Sequence, residues 1–267
     1  VGSEMCIRDR LKELIMQLHN SGFKVIMDVV FNHTADTENS NFNKIIPKYY
    51  YRQKDDGSFS NGSGCGNELA SERFMVRKFI LDSVKYWVDE YKIDGFRFDL
   101  MGLHDIETMK EIRLALSDDI LIYGEGWTAE ESPIDNTKLS LKENITCFNK
   151  LQIGAFSDDI RDAIKGSVFE KEKGGFVNGG IGFEETIKFG IVAATNHKDI
   201  DFNKLKYSKK AWANEPYQVI TYASAHDNNT MWDKISLVEP ISNKEERIKM
   251  NKLAAAIILT LSLIHIS

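Results

Sequence analysis

With 267 residues, 42% of them hydrophobic, the chain is long enough to bury a sizeable core as one large domain or two small ones. Its net charge of -6 argues against a nucleic-acid footprint, because phosphate backbones are gripped by clustered lysines and arginines, so no nucleic-acid partner is expected and the partner should be neutral or small. Cys6, Cys65 and Cys147 have neither metal-ligand spacing nor the pattern of a disulfide framework. No charged-then-apolar leader opens the chain, and the apolar run at 253–261 is too short and interrupted to span a bilayer, so no membrane partner is expected. Neither absence assigns a compartment.

Along the chain, Leu11, Leu14, Ile15 and Leu18 recur at helical spacing and predict a helix that stops at Gly22. Residues 24–31, β-branched and almost continuously apolar, predict a buried strand. The segment 32–70 is rich in Asn, Gly, Ser and Tyr and is longer than an ordinary connector, which reads as a functional excursion or subdomain. Ser71 is placed to cap a helix whose Val76, Ile80, Val84, Trp87 and Tyr91 share one face, and a strand follows at 93–98. Asp105 should cap a shorter helix through Ile112 and Leu116, with another apolar strand at 120–123. A strand at 153–156 precedes a long polar, glycine-containing region. A helix around 183–195, a strand at 219–223 and a helix at 245–259 complete the series. Helix and strand in alternation predict an α/β fold with parallel strands covered by helices.

Four of these strands end in polar, titratable clusters: Asn32 with His33, Arg97 with Asp99, Glu125 with Trp127, and His226 with Asp227. In a (β/α)8 barrel the carboxyl ends of the strands converge on one face, so residues distant in sequence meet in one pocket. Arg97 and Asp99 are two apart on a strand, which puts both on one face and lets the guanidinium keep the carboxylate ionised, as a nucleophile needs. Glu125 ends a different strand beside Tyr123 and Trp127, where burial should raise its proton affinity toward that of a general acid. Two carboxylates so divided are the apparatus of glycoside hydrolysis. Asp227 would add negative charge where a sugar cation develops, His33 and His226 can donate to hydroxyls, and the aromatic rings offer stacking surfaces. Asp28 reads as a buried structural partner, Trp87 as core, and Asp55 with Asp56 as solvated charge. A single carboxylate after a strand is usually a cap or a loop charge; four clusters on four strand ends carry the catalytic reading.

These residues resemble the α-amylase superfamily, glycoside hydrolase family 13. Asp28-Val29-Val30-Phe31-Asn32-His33-Thr34 is similar to its first conserved region and Gly95-Phe96-Arg97-Phe98-Asp99 to its second. Gly124-Glu125-Gly126-Trp127 resembles the third and Ser224-Ala225-His226-Asp227-Asn228 the fourth, all in the family's order. The segments 67–73, 94–102, 123–128, 158–161 and 228–234 resemble the bacterial pullulanase group within it, which hydrolyses α-1,6 bonds. The resemblance implies Asp99 as nucleophile, Glu125 as acid/base and Asp227 as transition-state stabiliser, with His33, Arg97, Trp127 and His226 touching sugar. It implies a two-step retaining reaction on pullulan, starch or glycogen, with the two carboxyls roughly 5–5.5 Å apart. No cofactor is required for that chemistry, and a structural calcium near Asn32 and its loop is compatible with the family, without assigned ligands.

The implied fold is an incomplete (β/α)8 TIM barrel over 11–260, lacking about the first two strands and the last, with 32–70 as a long insertion after the third strand. Residues 1–10 and 261–267 match nothing in the family and read as non-native ends, so the chain alone is expected to be inactive or poorly folded. The alternatives are an α-1,4-acting amylase or branching enzyme of the same superfamily, or a non-catalytic glucan-binding fragment. A sugar-phosphate barrel enzyme would need a phosphate-gripping glycine loop after the last strands, which is missing.

Overall fold

A computed structural model of the chain describes residues 2–239 and 242–262. Residue 1 of the expected non-native head and 263–267 of the expected tail lie outside the described residues. The chain divides into two compact units, Val1–Gly154 and Ala155–Ser267.

In the first unit, helix α1 (Gly2–Asn20) begins well before Leu11 and ends as expected, with Gly22 in the left-handed region at φ +82° and its N–H on the His19 carbonyl. Of its predicted apolar face, Ile15 is buried but Leu14 is exposed. Strand β1 (Ile26–Val29) is shorter than the apolar run around it, and among the described residues of this unit it pairs only with β2 (Gly95–Phe98). Strand β2 pairs in turn with β3 (Leu121–Gly124), both pairings being parallel. Every residue of the central strand β2 is buried, as a strand covered on both faces should be.

Helix α2 (Asn41–Ile45) lies inside the long excursion, which closes through isolated bridges between Tyr51 and Leu69 and between Gln53 and Phe59. Its centre is polar: the buried Arg52 guanidinium reaches Glu72 at 2.9 Å and Glu68 at 3.4 Å. Helix α3 (Phe74–Tyr91) buries Val76, Ile80, Val84 and Tyr91, but Trp87 is only half-buried, packed on the Tyr91 ring at 4.6 Å rather than set in the core. Nor does Ser71 cap that helix, since Arg73 occupies the cap position. The Ser71 hydroxyl instead donates to the Asp105 carboxylate at 2.7 Å and accepts from the Asp105 N–H at 2.9 Å. Asp105 caps helix α4 (Ile106–Ala115) through the Thr108 N–H, as its sequence position predicts.

Strand β4 (Ile153–Phe156) runs into the second unit, where its Ala155 and Phe156 pair in parallel with β5 (Val219–Ile220). Helices α5 (Asp158–Lys165), α6 (Glu184–Ile191), α7 (Met231–Val238) and α8 (Lys244–Ser262) surround a core of Ile160, Ala163, Ile164, Ile187, Met231, Ile235 and Ala254. Helix α6 stops four residues earlier than its apolar pattern suggests. The buried Ala193 and Ala194 sit at φ +50° and +53°, which no right-handed helix can continue through. Strand β5 is likewise shorter than 219–223, its ladder ending where the Ser157 N–H meets the Ile220 carbonyl. Alternating helices and parallel strands make this the expected α/β fold.

His104 is buried, and its Nε2 has no hydrogen-bond partner among the described residues. Burial, then the Arg52 charge, pushes its pKa down to about 4 against the opposing Asp105 and Asp99 charges. Between the ordinary 6.5 and that value the unfolded chain binds a proton that the folded chain refuses, so stability should fall as pH falls across this window. The expected loss is about 3 kcal/mol. Urea midpoints measured from pH 7 to 4 should show this slope in the wild type and a flatter one in His104→Gln.

Candidate active site

Parallel register sets Asp28 of β1, Arg97 of β2 and Tyr123 of β3 side by side in one row. The row is drawn together by Arg97. Its guanidinium, buried against solvent, donates from Nη1 to Asp28 at 2.8 Å and to Asp99 at 2.9 Å, and from Nη2 to Glu125 at 2.6 Å. One planar fork thus holds three carboxylates, one within β1 and one just after each of β2 and β3, a geometry a lysine could not reproduce. Burial opposes the charge on Arg97, but the hydrogen bond to Asp28 and the charges of Glu125, Asp28 and Asp99 outweigh it and raise its pKa further. With the three carboxyls ionised the cluster is net negative, which suits a developing cation and repels phosphate.

Asp99 is held from a second side. Asn32, 1% exposed at the end of β1, donates from Nδ2 to the Asp99 side chain at 2.9 Å and to its backbone carbonyl at 2.7 Å, while its own oxygen meets the His33 ring. The turn carrying His33 is fixed by Asn67, which accepts from the Thr34 N–H at 3.0 Å and donates to the Thr34 carbonyl at 2.7 Å. Asp28 departs from expectation: its side chain is 46% exposed rather than buried, because β1 is covered on one edge only among the described residues of its unit.

Glu125 is 7% exposed, and its second oxygen accepts the Leu100 N–H at 2.8 Å. That donor exists because Leu100 adopts a left-handed conformation, φ 38° and ψ 49°, immediately after Asp99. A leucine there costs about 1–3 kcal/mol. Glu125 is thus buried with the Arg97 cation on one oxygen and a backbone N–H on the other. Gly102 donates to the Glu125 carbonyl at 2.8 Å and lies so close to Trp127 that any Cβ would collide with the Trp127 backbone. Trp127 itself is half-buried on the loop after β3.

His226 and Asp227 belong to the second unit, on the loop after β5, where they pair with each other at 3.1 Å and are largely exposed. The Asn32 amide is engaged by Asp99 and His33. Among the described residues no group of three or more His, Cys, Asp or Glu could hold a metal ion, and no helix is long and apolar enough to cross a membrane.

Residues 6–61 match the family model for the alpha-amylase catalytic domain. The chain is similar to the pullulanase of Bacillus subtilis (strain 168), 41% identical over 255 residues, covering 94% of this chain and 34% of that one. It is also similar to chloroplastic pullulanase 1 of Arabidopsis thaliana, at 33% identity over 92% of this chain and 30% of the relative. The crystal structure of the pullulanase from Paenibacillus barengoltzii with maltohexaose and alpha-cyclodextrin superposes with a TM-score of 0.84. Its identity is 46%, and the match covers 94% of this chain and 38% of that one. The chain is thus similar to the α-amylase family, and to its pullulanases in particular. It spans about a third of the length of the curated relatives it matches.

The structure brings Asp99, Glu125, Arg97 and His33, with Asn32 and Asp28, into one hydrogen-bonded cluster, and in the second unit His226 pairs with Asp227. Sequence reasoning did not find the Asn32 bond to Asp99 or the Leu100 N–H on Glu125. The first has a signal, an amide one residue before a candidate histidine at a strand end. The second has none, because left-handed backbone at a leucine leaves no mark on composition or periodicity.

Proposed function

We propose that this chain carries the catalytic residues of a retaining glycoside hydrolase that cuts α-1,6 branch linkages in pullulan, starch or glycogen. The observation that carries the reading is the Arg97 fork, which holds Asp99 on one nitrogen and Glu125 on the other, so that two carboxylates from two strand ends are offered to one bond. In the first step Asp99 attacks the anomeric carbon as Glu125 delivers a proton to the branch oxygen. The glycosidic bond breaks and a covalent glycosyl-enzyme forms. In the second, Glu125 takes a proton from water, the water attacks the anomeric carbon, and Asp99 leaves as a carboxylate. Asp227 is assigned to the charge that develops on the sugar ring in both steps, and His33, Arg97, Trp127 and His226 to its hydroxyls and faces. No cofactor enters this chemistry.

The same reading makes the parallel strands part of a (β/α)8 barrel, supported by the helix-strand alternation and by candidate residues at the carboxyl ends of strands. The α-1,6 choice rests on the relatives' names and on the segments shared with them. In a protein that holds this chain within the full length of its relatives, reducing-sugar release should therefore be faster from pullulan than from linear amylose. The opposite preference selects the α-1,4 reading, and glucan binding without release from either polymer selects the non-catalytic one.

A further inference from the structure

Lys165 closes helix α5 with its side chain fully buried. An ammonium taken out of water is strongly disfavoured, and an aliphatic residue like its neighbour Ile164 would fill the space without that cost. Burial first, then the nearby Arg161 and Lys234 charges, push its pKa down to about 8 against the opposing pull of Asp162. A charge so disfavoured calls for a reason in what it touches. Its Nζ donates to the Asn228 side-chain oxygen at 2.7 Å and to the Asn229 carbonyl at 3.0 Å. These two residues directly follow Asp227.

The loop 221–230 that carries His226 and Asp227 has no strand or helix of its own. Its far end is closed by the Met231 N–H on the Ser224 hydroxyl at 3.0 Å. Helix α5 grips it at two further points. Arg161, one turn before Lys165 and on the same helical face, donates to the Tyr222 hydroxyl at 2.8 Å, upstream of His226. Arg161 is itself paired with Asp162, and the helix is seated in the core by Ile160, Ala163 and Ile164, each 0% exposed. Lys165 is in turn braced by Asn178, whose Nδ2 donates to the Lys165 carbonyl at 3.2 Å.

We propose that Lys165 is a positioning residue for Asp227: with Arg161 it clamps the two flanks of the loop, so that an exposed carboxylate on irregular backbone is held by a rigid helix beneath it. This rests on the catalytic reading of Asp227 given above. The test compares Lys165→Met, which keeps the length and removes the donors, with Asn228→Ala, which removes one acceptor and leaves Lys165 in place. Amide hydrogen exchange at neutral pH should rise in 225–230 in both variants, with α5 and α7 as protected as in the wild type. On pullulan, kcat should fall by about 10²-fold in Lys165→Met, the scale of a misplacement near 1 Å, with KM held within about twofold. Unchanged loop exchange in both variants would overturn the clamp, as would an equal loosening of α5, α7 and the loop. Loop-confined loosening supports the clamp whether or not the chain alone releases sugar, and absence of release from the full-length protein counts against the catalytic reading alone.

Discussion

Replacing Asp99 by asparagine is expected to lower turnover of pullulan by at least about 10⁴-fold, because the amide cannot form the glycosyl-enzyme bond. The substitution is also not isosteric in hydrogen bonding. Both carboxylate oxygens of Asp99 accept, one from Arg97 Nη1 and one from Asn32 Nδ2, and an amide must turn its NH2 toward one of these donors. That clash should cost about 1–3 kcal/mol of stability. Asn32→Asp in the same background would relieve it only if the amide faces Asn32. Denaturant midpoints of the single and double variants decide which way the amide turns, and reducing-sugar release decides the role of Asp99.

The second large effect is expected at Arg97. Its loss, as Arg97→Met, takes from Asp28, Asp99 and Glu125 the cation they share, and breaking such a pair by removing one partner costs about 3–5 kcal/mol. The half-exposed Asp28 recovers water, which puts the expected loss at the lower end of that range. Activity should fall by more than about 10³-fold, since both proposed catalytic carboxylates lose a shared anchor. Arg97→Lys should recover part of the stability and little of the activity, because a single ammonium cannot donate in the plane of three carboxyls at once. Melting curves and kcat measured for both variants check the split.

Much of this molecule follows from local pattern. The 3.6-residue period of Val76, Ile80 and Val84 and the apolar runs at β1 to β5 are properties of neighbouring residues, and they suffice for an α/β alternation. The candidate site was legible for the same reason: His33, Arg97, Asp99, Glu125, His226 and Asp227 each stand just where an apolar run ends, and their order matches a known family. Asp105 was legible as a cap because its partner, Thr108, is three residues away.

What pattern could not supply is every feature that depends on a distant partner. Ser71 has the chemistry of a cap, yet its hydroxyl is taken by Asp105, 34 residues on, and the helix starts later without it. Ala193 and Ala194 favour helix intrinsically and end one instead, the Trp212 and Ala213 N–H groups both meeting the Ala194 carbonyl. Sequence alone determined which residues were available to Arg97 and on which side of its strand they would lie. Tertiary structure alone decided that one guanidinium would meet Asp28, 69 residues before it, and Glu125, 28 residues after it. Only strand pairing and burial bring these charges within hydrogen-bonding reach.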